Sequence, residues 1–193
     1  MKNVHAEGQL HSLTASILRA QKVRLLALDV DGVLTDGGLY ISDEREACKR
    51  FNVQDGLAIS CALRNGLVIA ILTGRQSGIV LRRAEELGIS EVYQGVKDKR
   101  KMLENLAAKH GLDLNETAYM GDDLNDLSAL AAAGLACAPA NAAAEVRERA
   151  HCVAGHKGGE GAVREVIETI LKAQGLWPKI VASYINEGQG DSQ

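Results

Sequence analysis

The sequence predicts an α/β protein in which helices cover both faces of a parallel central sheet. Two observations support this fold class. Short apolar runs of strand length alternate with segments of helical periodicity, and these runs are apolar almost throughout, as strands buried on both faces are. Ligands of such sheets bind at the carboxyl ends of the strands, so the polar residues that follow the apolar runs form the candidate site.

The composition is typical of one globular domain, with 193 residues of which 46% are hydrophobic and 24% are charged. A net charge of −3 and an aromatic content of 3% argue against a nucleic-acid partner. No apolar run approaches the length of about 20 residues that crosses a membrane, and residues 1–22 lack the apolar segment of a signal peptide. The four cysteines form no C-x-x-C pair and predict buried free thiols. We therefore expect a cytoplasmic protein.

The elements are predicted in order from the same patterns. Helical periodicity over residues 9–20 indicates an N-terminal helical extension (1–22), which precedes a first strand at 23–28. Two short extended pieces around a polar turn predict a hairpin at 37–51. Further helices are predicted at 55–64 (with Asp55 as N-cap), 78–87, 97–110, 126–133, 142–149 and 162–173, and further strands at 67–72, 92–93, 118–120, 135–138 and 151–153. Residues 176–193 are predicted to form a C-terminal tail, loose and polar from Ser183 onward.

The first strand ends at two aspartates, Asp29 and Asp31, which are followed by Gly32. Residues two apart in an extended chain point to the same side. Two neighbouring buried carboxylates resist ionising together unless a cation shares them, and Mg2+ prefers sites with one or two carboxylates, waters and phosphate oxygens. The motif therefore indicates a Mg2+ site, although an ordinary polar turn would have the same sequence.

Other polar residues also follow apolar runs directly. Thr73 and Arg75 follow the strand at 67–72, and Asp122 follows the strand at 118–120. A parallel sheet brings all of them to the edge where the first strand ends. Acidic residues from two strand ends can hold Mg2+, while a hydroxyl, a lysine and an arginine beside them neutralise a phosphoryl group. An aspartate could then attack phosphorus, and its neighbour two residues on could protonate the leaving oxygen and activate water.

These residues resemble the four motifs of the haloacid dehalogenase superfamily of phosphatases. Asp29-Val30-Asp31-Gly32-Val33 is similar to the first motif, Thr73-Gly74-Arg75 to the second, Lys99 to the third and Gly121-Asp122-Asp123-Leu124-Asn125-Asp126 to the fourth. Residues 23–175 would form this phosphatase domain. The span from Leu25 to about Gly175 further resembles the family of 3-deoxy-D-manno-octulosonate 8-phosphate (KDO 8-phosphate) phosphatases, including segments 35–40, 51–56 and 158–165. The resemblance implies a three-layer Rossmann-like fold with a projecting hairpin.

The resemblance also implies a role for each matching residue. Asp29 would be the nucleophile and a Mg2+ ligand, together with Asp122 and the backbone carbonyl of Asp31. The Asp31 carboxylate would be the general acid and base that meets the substrate's leaving oxygen. Thr73 and Lys99 would bind the phosphoryl group, and Lys99 would also steady the nucleophile.

Four further residues have implied supporting roles. Asp123 and Asp126 would orient waters bound to the metal. Arg75 and Arg83 would contact the carboxylate or phosphate of the substrate. A simple helix cap remains an alternative interpretation of Asp123, and a solvated helix face remains one of Arg83.

The spacing of the motifs leaves no interval for a separate cap domain, because the predicted hairpin, helices and strands fill the chain between Asp29, Thr73 and Lys99. An uncovered site would be open to water, so we expect a neighbouring subunit to cover it. The resemblance implies a homotetramer whose hairpins contribute to each other's sites. It also implies hydrolysis of KDO 8-phosphate through an aspartyl-phosphate intermediate, in lipopolysaccharide precursor biosynthesis.

Other functions remain open. A phosphatase for a nine-carbon sugar acid 9-phosphate, of the KDN or sialic acid type, would have the same motifs. A signalling receiver domain phosphorylated on aspartate is disfavoured, because here the acidic pair follows the first strand and the second acidic cluster comes after Thr73 and Lys99. A dinucleotide-binding domain is also disfavoured, because Asp-x-Asp-Gly replaces the G-x-G-x-x-G sequence after the first strand.

Overall fold

A six-stranded parallel sheet forms the centre of the protein in the computed structural model, which describes residues 14–43 and 46–186. The strands of these residues are β1 (Leu25–Leu28), β2 (Tyr40–Ile41), β3 (Glu46–Cys48), β4 (Val68–Leu72), β5 (Glu91–Tyr93), β6 (Thr117–Met120), β7 (Leu135–Ala138) and β8 (Cys152–Val153). The large sheet has the order β5-β4-β1-β6-β7-β8, and each neighbouring pair is parallel. β1 therefore lies inside the sheet, as its apolar sequence predicts.

Helices cover both faces of this sheet. They are α1 (14–20), α2 (Val53–Arg64), α3 (Gly78–Leu87), α4 (Lys99–Lys109), α5 (Leu127–Ala132), α6 (Ala144–Arg147), α7 (Ala162–Ala173) and α8 (Trp177–Asn186). Alternate residues of β1 belong to two cores: Leu26 and Leu28 pack with α2, α3 and α7, whereas Leu25 and Ala27 pack with α4, α5 and α6. The predicted three-layer α/β fold is confirmed.

The predicted hairpin is present at the carboxyl end of β1. β2 and β3 pair antiparallel, and a bridge between Thr35 and Phe51 closes the base of the hairpin. β2 and the residue before it expose the apolar side chains of Leu39, Tyr40 and Ile41. In the described residues, the chain between β1 and β4 contains only this hairpin, α2 and short connections, so no separate cap domain covers the sheet edge.

The predicted cap of α2 is wrong by one turn. Asn52 caps this helix, because its Oδ1 accepts hydrogen bonds from the backbone N–H groups of Gln54 and Asp55. The carboxylate of Asp55 instead accepts the backbone N–H of Arg164, at a distance of 2.7 Å, in the first turn of α7. Asp55 therefore links the N-terminal turns of α2 and α7.

The predicted loose tail is wrong for residues 183–186, which belong to α8. Pro178 lies in the first turn of this helix, where proline is tolerated. Ile180 is only 7% exposed, and the Tyr184 hydroxyl lies 3.6 Å from Cys61 Sγ of α2. The apolar residues recur at helical spacing and supply a face that packs on the core. Residues 187–193, like the first five residues of the helix predicted at 9–20, lie outside the described residues.

All four cysteines are free thiols. Cys61 and Cys137 are buried and Cys152 is partly buried, but Cys48 is exposed because it lies on the projecting hairpin. The prediction of burial is therefore wrong for Cys48. Among the described helices, none combines the length and apolar character needed to cross a bilayer.

Candidate active site

Asp29 follows β1 directly and starts a tight turn at residues 30–34. Its backbone N–H donates to the carbonyl of Met120 at the end of β6, which continues the parallel ladder into the turn. Gly32 has φ of +88°, and a Cβ added there would lie 2.0 Å from Oδ2 of Asp122. Glycine is therefore required at this position, both by the left-handed backbone and by the close approach of Asp122.

Asp126 joins the loop after β6 to the first residue of α4. Its Oδ1 accepts hydrogen bonds from Lys99 Nζ at 2.6 Å and from the Tyr119 hydroxyl at 2.7 Å. Its Oδ2 accepts the backbone N–H groups of Asp122 at 3.0 Å and Asp123 at 3.2 Å. Lys99, whose side chain is 3% exposed, also lies 3.0 Å from Asp29 Oδ2. One lysine thus connects the strand ends of β1 and β6.

Asp29, Asp122 and Asp126 form an acidic cluster in which Asp29 and Asp126 are buried and Asp122 is partly buried, and one carboxylate oxygen of each lies within 4.8 Å of the others. Burial, then repulsion by Asp126, raises the pKa of Asp29 to about 6, although Lys99 acts in the opposite direction. Burial and repulsion by Asp126 and Asp29 raise the pKa of Asp122 to about 7. Burial opposes the charge of Lys99, but Asp29 and Asp126 outweigh it and raise the lysine's pKa. One ammonium group therefore does not neutralise the three carboxylates, and the donor set fits a hard divalent cation.

The carboxylate of Asp31 lies outside this acidic cluster and has cationic partners of its own. Lys49 Nζ lies 2.5 Å from its Oδ1, and Arg75 Nε lies 3.6 Å from its Oδ2. The sequence does not predict the contact of Lys49 with Asp31, because the periodicity of a hairpin does not show that its base folds back over the sheet edge. The available signal was the prediction that the hairpin projects beside the end of the first strand.

Thr73 is buried at the carboxyl end of β4, next to β1 in the sheet. Its backbone N–H donates to the carbonyl of Tyr93, and its Oγ1 accepts the backbone N–H of Arg75 at 3.4 Å. The side chain of Arg75 is half exposed and extends from this turn toward Asp31. The structure thus brings Thr73, Arg75 and the acidic residues to one edge, as the strand ends predict.

Comparison with known proteins identifies the family. Residues 84–167 match the family model of haloacid dehalogenase-like hydrolases. The KDO 8-phosphate phosphatase of Yersinia pestis is 44% identical over 158 residues, which cover 82% of this chain and 84% of that protein. The chain belongs to the KDO 8-phosphate phosphatase family of haloacid dehalogenase-like hydrolases. The predicted family resemblance is confirmed.

Solved structures agree with this assignment. The Moraxella catarrhalis KDO 8-phosphate phosphatase, solved in complex with magnesium, phosphate and KDO, is 42% identical and has a TM-score of 0.85, covering 88% of this chain and 97% of that one. A probable YrbI family phosphatase from Pseudomonas syringae is 43% identical with a TM-score of 0.87, covering 90% of this chain and 98% of that one. The fold of the family therefore extends over most of this chain.

Two residues of the predicted site lie away from the acidic cluster of this family member. The carboxylate of Asp123 is exposed and accepts the backbone N–H of Leu124 at 2.8 Å, which is the helix-cap interpretation. The guanidinium of Arg83 pairs with Glu86 at 3.1 Å and lies 5.9 Å from the centroid of the Phe51 ring. The side chain of Arg83 therefore extends from α3 to Phe51 at the base of the hairpin.

A glycine-rich loop at 155–161 braces the turn that carries Asp31. The backbone N–H of Gly159 donates to the carbonyl of Val33 at 2.9 Å. A Cβ added to Gly158 would lie 1.7 Å from the carbonyl oxygen of Gly32, so no side chain fits between the two backbones. The loop thus fixes the turn that follows β1 from behind.

Proposed function

We propose that this protein hydrolyses KDO 8-phosphate to KDO and inorganic phosphate, with Mg2+ as cofactor. The observation that carries the proposal is the acidic cluster in which Asp29 lies 3.0 Å from Lys99 at the carboxyl edge of the sheet. Membership of the KDO 8-phosphate phosphatase family supports the substrate. The complex of the Moraxella catarrhalis relative with magnesium, phosphate and KDO supports both the cofactor and the product.

The residues present fit Mg2+. Asp29 and Asp122 are carboxylates whose raised pKa values reflect uncompensated negative charge. Both oxygens of Asp126 already accept two hydrogen bonds each, so this residue would orient its neighbours while Asp29, Asp122 and the backbone carbonyl of Asp31 would hold the ion. Bound Mg2+ would neutralise these carboxylates and the charge of the phosphoryl group.

The chemistry divides between two aspartates. An oxygen of Asp29 attacks phosphorus, a P–O bond to Asp29 forms and the P–O bond to the sugar breaks, while Asp31 gives its proton to the leaving sugar oxygen. Asp31 then takes a proton from water, which attacks phosphorus and releases phosphate and the Asp29 carboxylate. Lys99 holds the Asp29 carboxylate at 3.0 Å, and the Thr73 hydroxyl and Lys99 bind the phosphoryl oxygens.

We further propose that the enzyme is a cytoplasmic homotetramer that serves lipopolysaccharide precursor biosynthesis. Leu39, Tyr40 and Ile41 expose apolar surface along the first strand of the hairpin, and burying it against neighbouring hairpins would cover the site. Arg75, which is half exposed beside Asp31, then lies at the mouth of the site as a partner for the substrate carboxylate. Light scattering should give four times the mass of 20.6 kDa, and a monomeric mass would contradict the assembly.

The test of the reaction is phosphate release from a panel of sugar and sugar acid phosphates, with Mg2+ and with chelator. We expect Mg2+-dependent hydrolysis with the highest kcat/KM for KDO 8-phosphate. Equal or better use of the nine-carbon KDN or sialic acid 9-phosphates would replace the substrate and keep the mechanism. Absence of release from every substrate would contradict the phosphatase function itself.

A further inference from the structure

Lys49 is a buried cation at the base of the hairpin. Its side chain is 2% exposed, and its Nζ lies 2.5 Å from Asp31 Oδ1 and 2.8 Å from Glu46 Oε1. An ammonium group that is removed from water needs close carboxylate partners. The two carboxylates therefore fix the position of Lys49, and Lys49 in turn fixes them.

Glu46 extends this contact to the other side of the sheet edge. Its second oxygen, Oε2, accepts the Ser77 hydroxyl at 2.5 Å. The backbone N–H of Ser77 donates to Gln94 Oε1 at 2.8 Å, and Gln94 Nε2 donates to the Ser77 carbonyl at 2.9 Å. A continuous chain of polar contacts thus runs from the loop after β5, through the start of α3, to Lys49 and Asp31. Ser77 and Gln94 thus support Glu46, which in turn holds Lys49.

This arrangement distinguishes the two oxygens of Asp31. Oδ1 accepts the hydrogen bond from Lys49, whereas Oδ2 faces the half-exposed Arg75 at 3.6 Å. The Asp31 side chain retains 22% exposure, while Lys49 is almost completely covered. Oδ2 is therefore the oxygen left for a substrate, because Oδ1 is bonded to the covered ammonium group.

We propose that Lys49 is a positioning residue that locks the Asp31 carboxylate so that Oδ2 delivers the proton to the leaving oxygen. The inference rests on the proposed function, because it takes Asp31 as the general acid. As the P–O bond to the sugar breaks and the bond from Asp29 forms, the proton on Oδ2 moves to the sugar oxygen and Lys49 keeps its own protons. A misplaced carboxylate slows this transfer in particular.

The leaving group provides the test. An alkoxide needs a proton to leave, whereas p-nitrophenolate is a stable anion that leaves without one. We expect Lys49→Met to lower kcat/KM on the order of 10- to 100-fold for KDO 8-phosphate and for glycerol 3-phosphate, an alkyl phosphate without a carboxylate. For p-nitrophenyl phosphate the change should stay within about threefold. kcat/KM is the appropriate quantity because it reports on the steps up to phosphoryl transfer.

Each alternative role of Lys49 predicts different changes in kcat/KM among the three substrates. A lysine that binds the substrate carboxylate would affect KDO 8-phosphate and spare glycerol 3-phosphate. A lysine that only supports the fold would lower kcat/KM for all three substrates equally. Either result would overturn the inference, while phosphate release by the wild-type enzyme would leave the proposed function intact.

Further variants serve as controls for Lys49→Met. Lys22→Met removes an exposed lysine at the opposite end of the sheet and should change none of the three rates. Glu46→Gln keeps Lys49 but weakens its support, so it should give a smaller loss with the same dependence on the leaving group. This second variant decides the question if Lys49→Met does not fold. In an Asp31→Asn background, Lys49→Met should have no further effect on leaving-group dependence.

Discussion

Two clusters of ionisable side chains lie at opposite ends of the central sheet, and the pKa values of their carboxyl groups are shifted in opposite directions. At the carboxyl end, burial and mutual repulsion raise the pKa of Asp29 to about 6 and that of Asp122 to about 7, although Lys99 is close. At the amino end, Glu91 is the first residue of β5. Burial would raise its pKa, but hydrogen bonds led by Lys109 outweigh burial and lower it to about 2.

The number of cations available to the carboxylates of each cluster explains the difference. Glu91 alone receives Lys109 at 2.8 Å, the His110 ring at 2.9 Å and the Tyr93 hydroxyl at 2.6 Å. At the carboxyl end, three carboxylates share one lysine. Burial therefore produces a self-sufficient clamp between β5 and α4 in one case, and a site that needs a further cation in the other.

Asp29→Asn tests whether the acidic cluster at the carboxyl end carries out the reaction. Among the substitutions it should have the largest effect on phosphate release. The amide cannot form the acyl phosphate, so phosphate release should fall by about 10³-fold or more. The melting temperature of the metal-free protein should stay equal or rise, because one repelled carboxylate is removed from the cluster. Retained phosphate release would exclude Asp29 as the nucleophile.

Gly158→Ala tests whether the carboxyl end depends on its close backbone packing. The new methyl group would meet the Gly32 carbonyl at 1.7 Å, so the turn that carries Asp31 has to shift. We expect kcat to fall about tenfold or more, with a stability loss of about 1–3 kcal/mol in thermal unfolding. Gly78→Ala is the matched control, because nothing lies within 4 Å of its added Cβ, and it should leave kcat unchanged. Equal kcat in both variants would argue against the brace.

Glu91→Gln tests whether the Glu91 cluster at the amino end of the sheet stabilises the fold. Loss of the charge weakens the contacts to Lys109 and His110, which should cost about 1–3 kcal/mol of unfolding free energy. Because this cluster lies at the far end of the sheet, kcat for phosphate release should not change. A drop in kcat without a drop in stability would show that the two clusters are coupled.

The acidic cluster and the Glu91 cluster should change the stability of the protein in opposite directions as the pH rises. The pKa values of Asp29 and Asp122 are raised from 3.8 to about 6 and about 7, so in metal-free protein their contribution is present below about pH 4 and is lost as the pH rises to about 7. The pKa of Glu91 is lowered from 4.5 to about 2, so its contribution is present above about pH 4.5 and is lost as the pH falls to about 2.

Melting temperatures across this pH range, with Mg2+ and with chelator, would measure both effects. Mg2+ should restore stability near neutral pH, where the acidic cluster is ionised, and should have little effect at pH 4. Asp122→Asn should reduce the neutral-pH loss in metal-free protein, and Glu91→Gln should reduce the loss in acid. Global unfolding on chelation alone would contradict the view that the core folds without the metal.

The topology of the sheet explains why most of the site was predictable. Asp29, Thr73 and Asp122 each follow an apolar run, and parallel strands bring such positions together whatever their separation in sequence. Lys99 was accessible only through the family motif, because it lies in the first turn of a helix and not at a strand end.

The missed features depend on how elements pack, which periodicity does not encode. Lys49 reaches Asp31 only because the hairpin folds back over the sheet edge. The sequence predicts only a buried strand position for Tyr119, yet its hydroxyl reaches Asp126. The sequence predicts a loose polar tail from Ser183, but the apolar face of α8, which includes Ile180 and Tyr184, continues past it.

The packing of α8 also gives the protein a built-in optical probe. Trp177 is the only tryptophan of the chain, and its ring lies 5.0 Å from the guanidinium carbon of Arg164 on α7. The backbone of Arg164 is the group that Asp55 holds at the start of α7. Intrinsic fluorescence excited at the indole therefore reports on one junction, and detachment of α8 would appear as a red shift of the emission as the ring enters water.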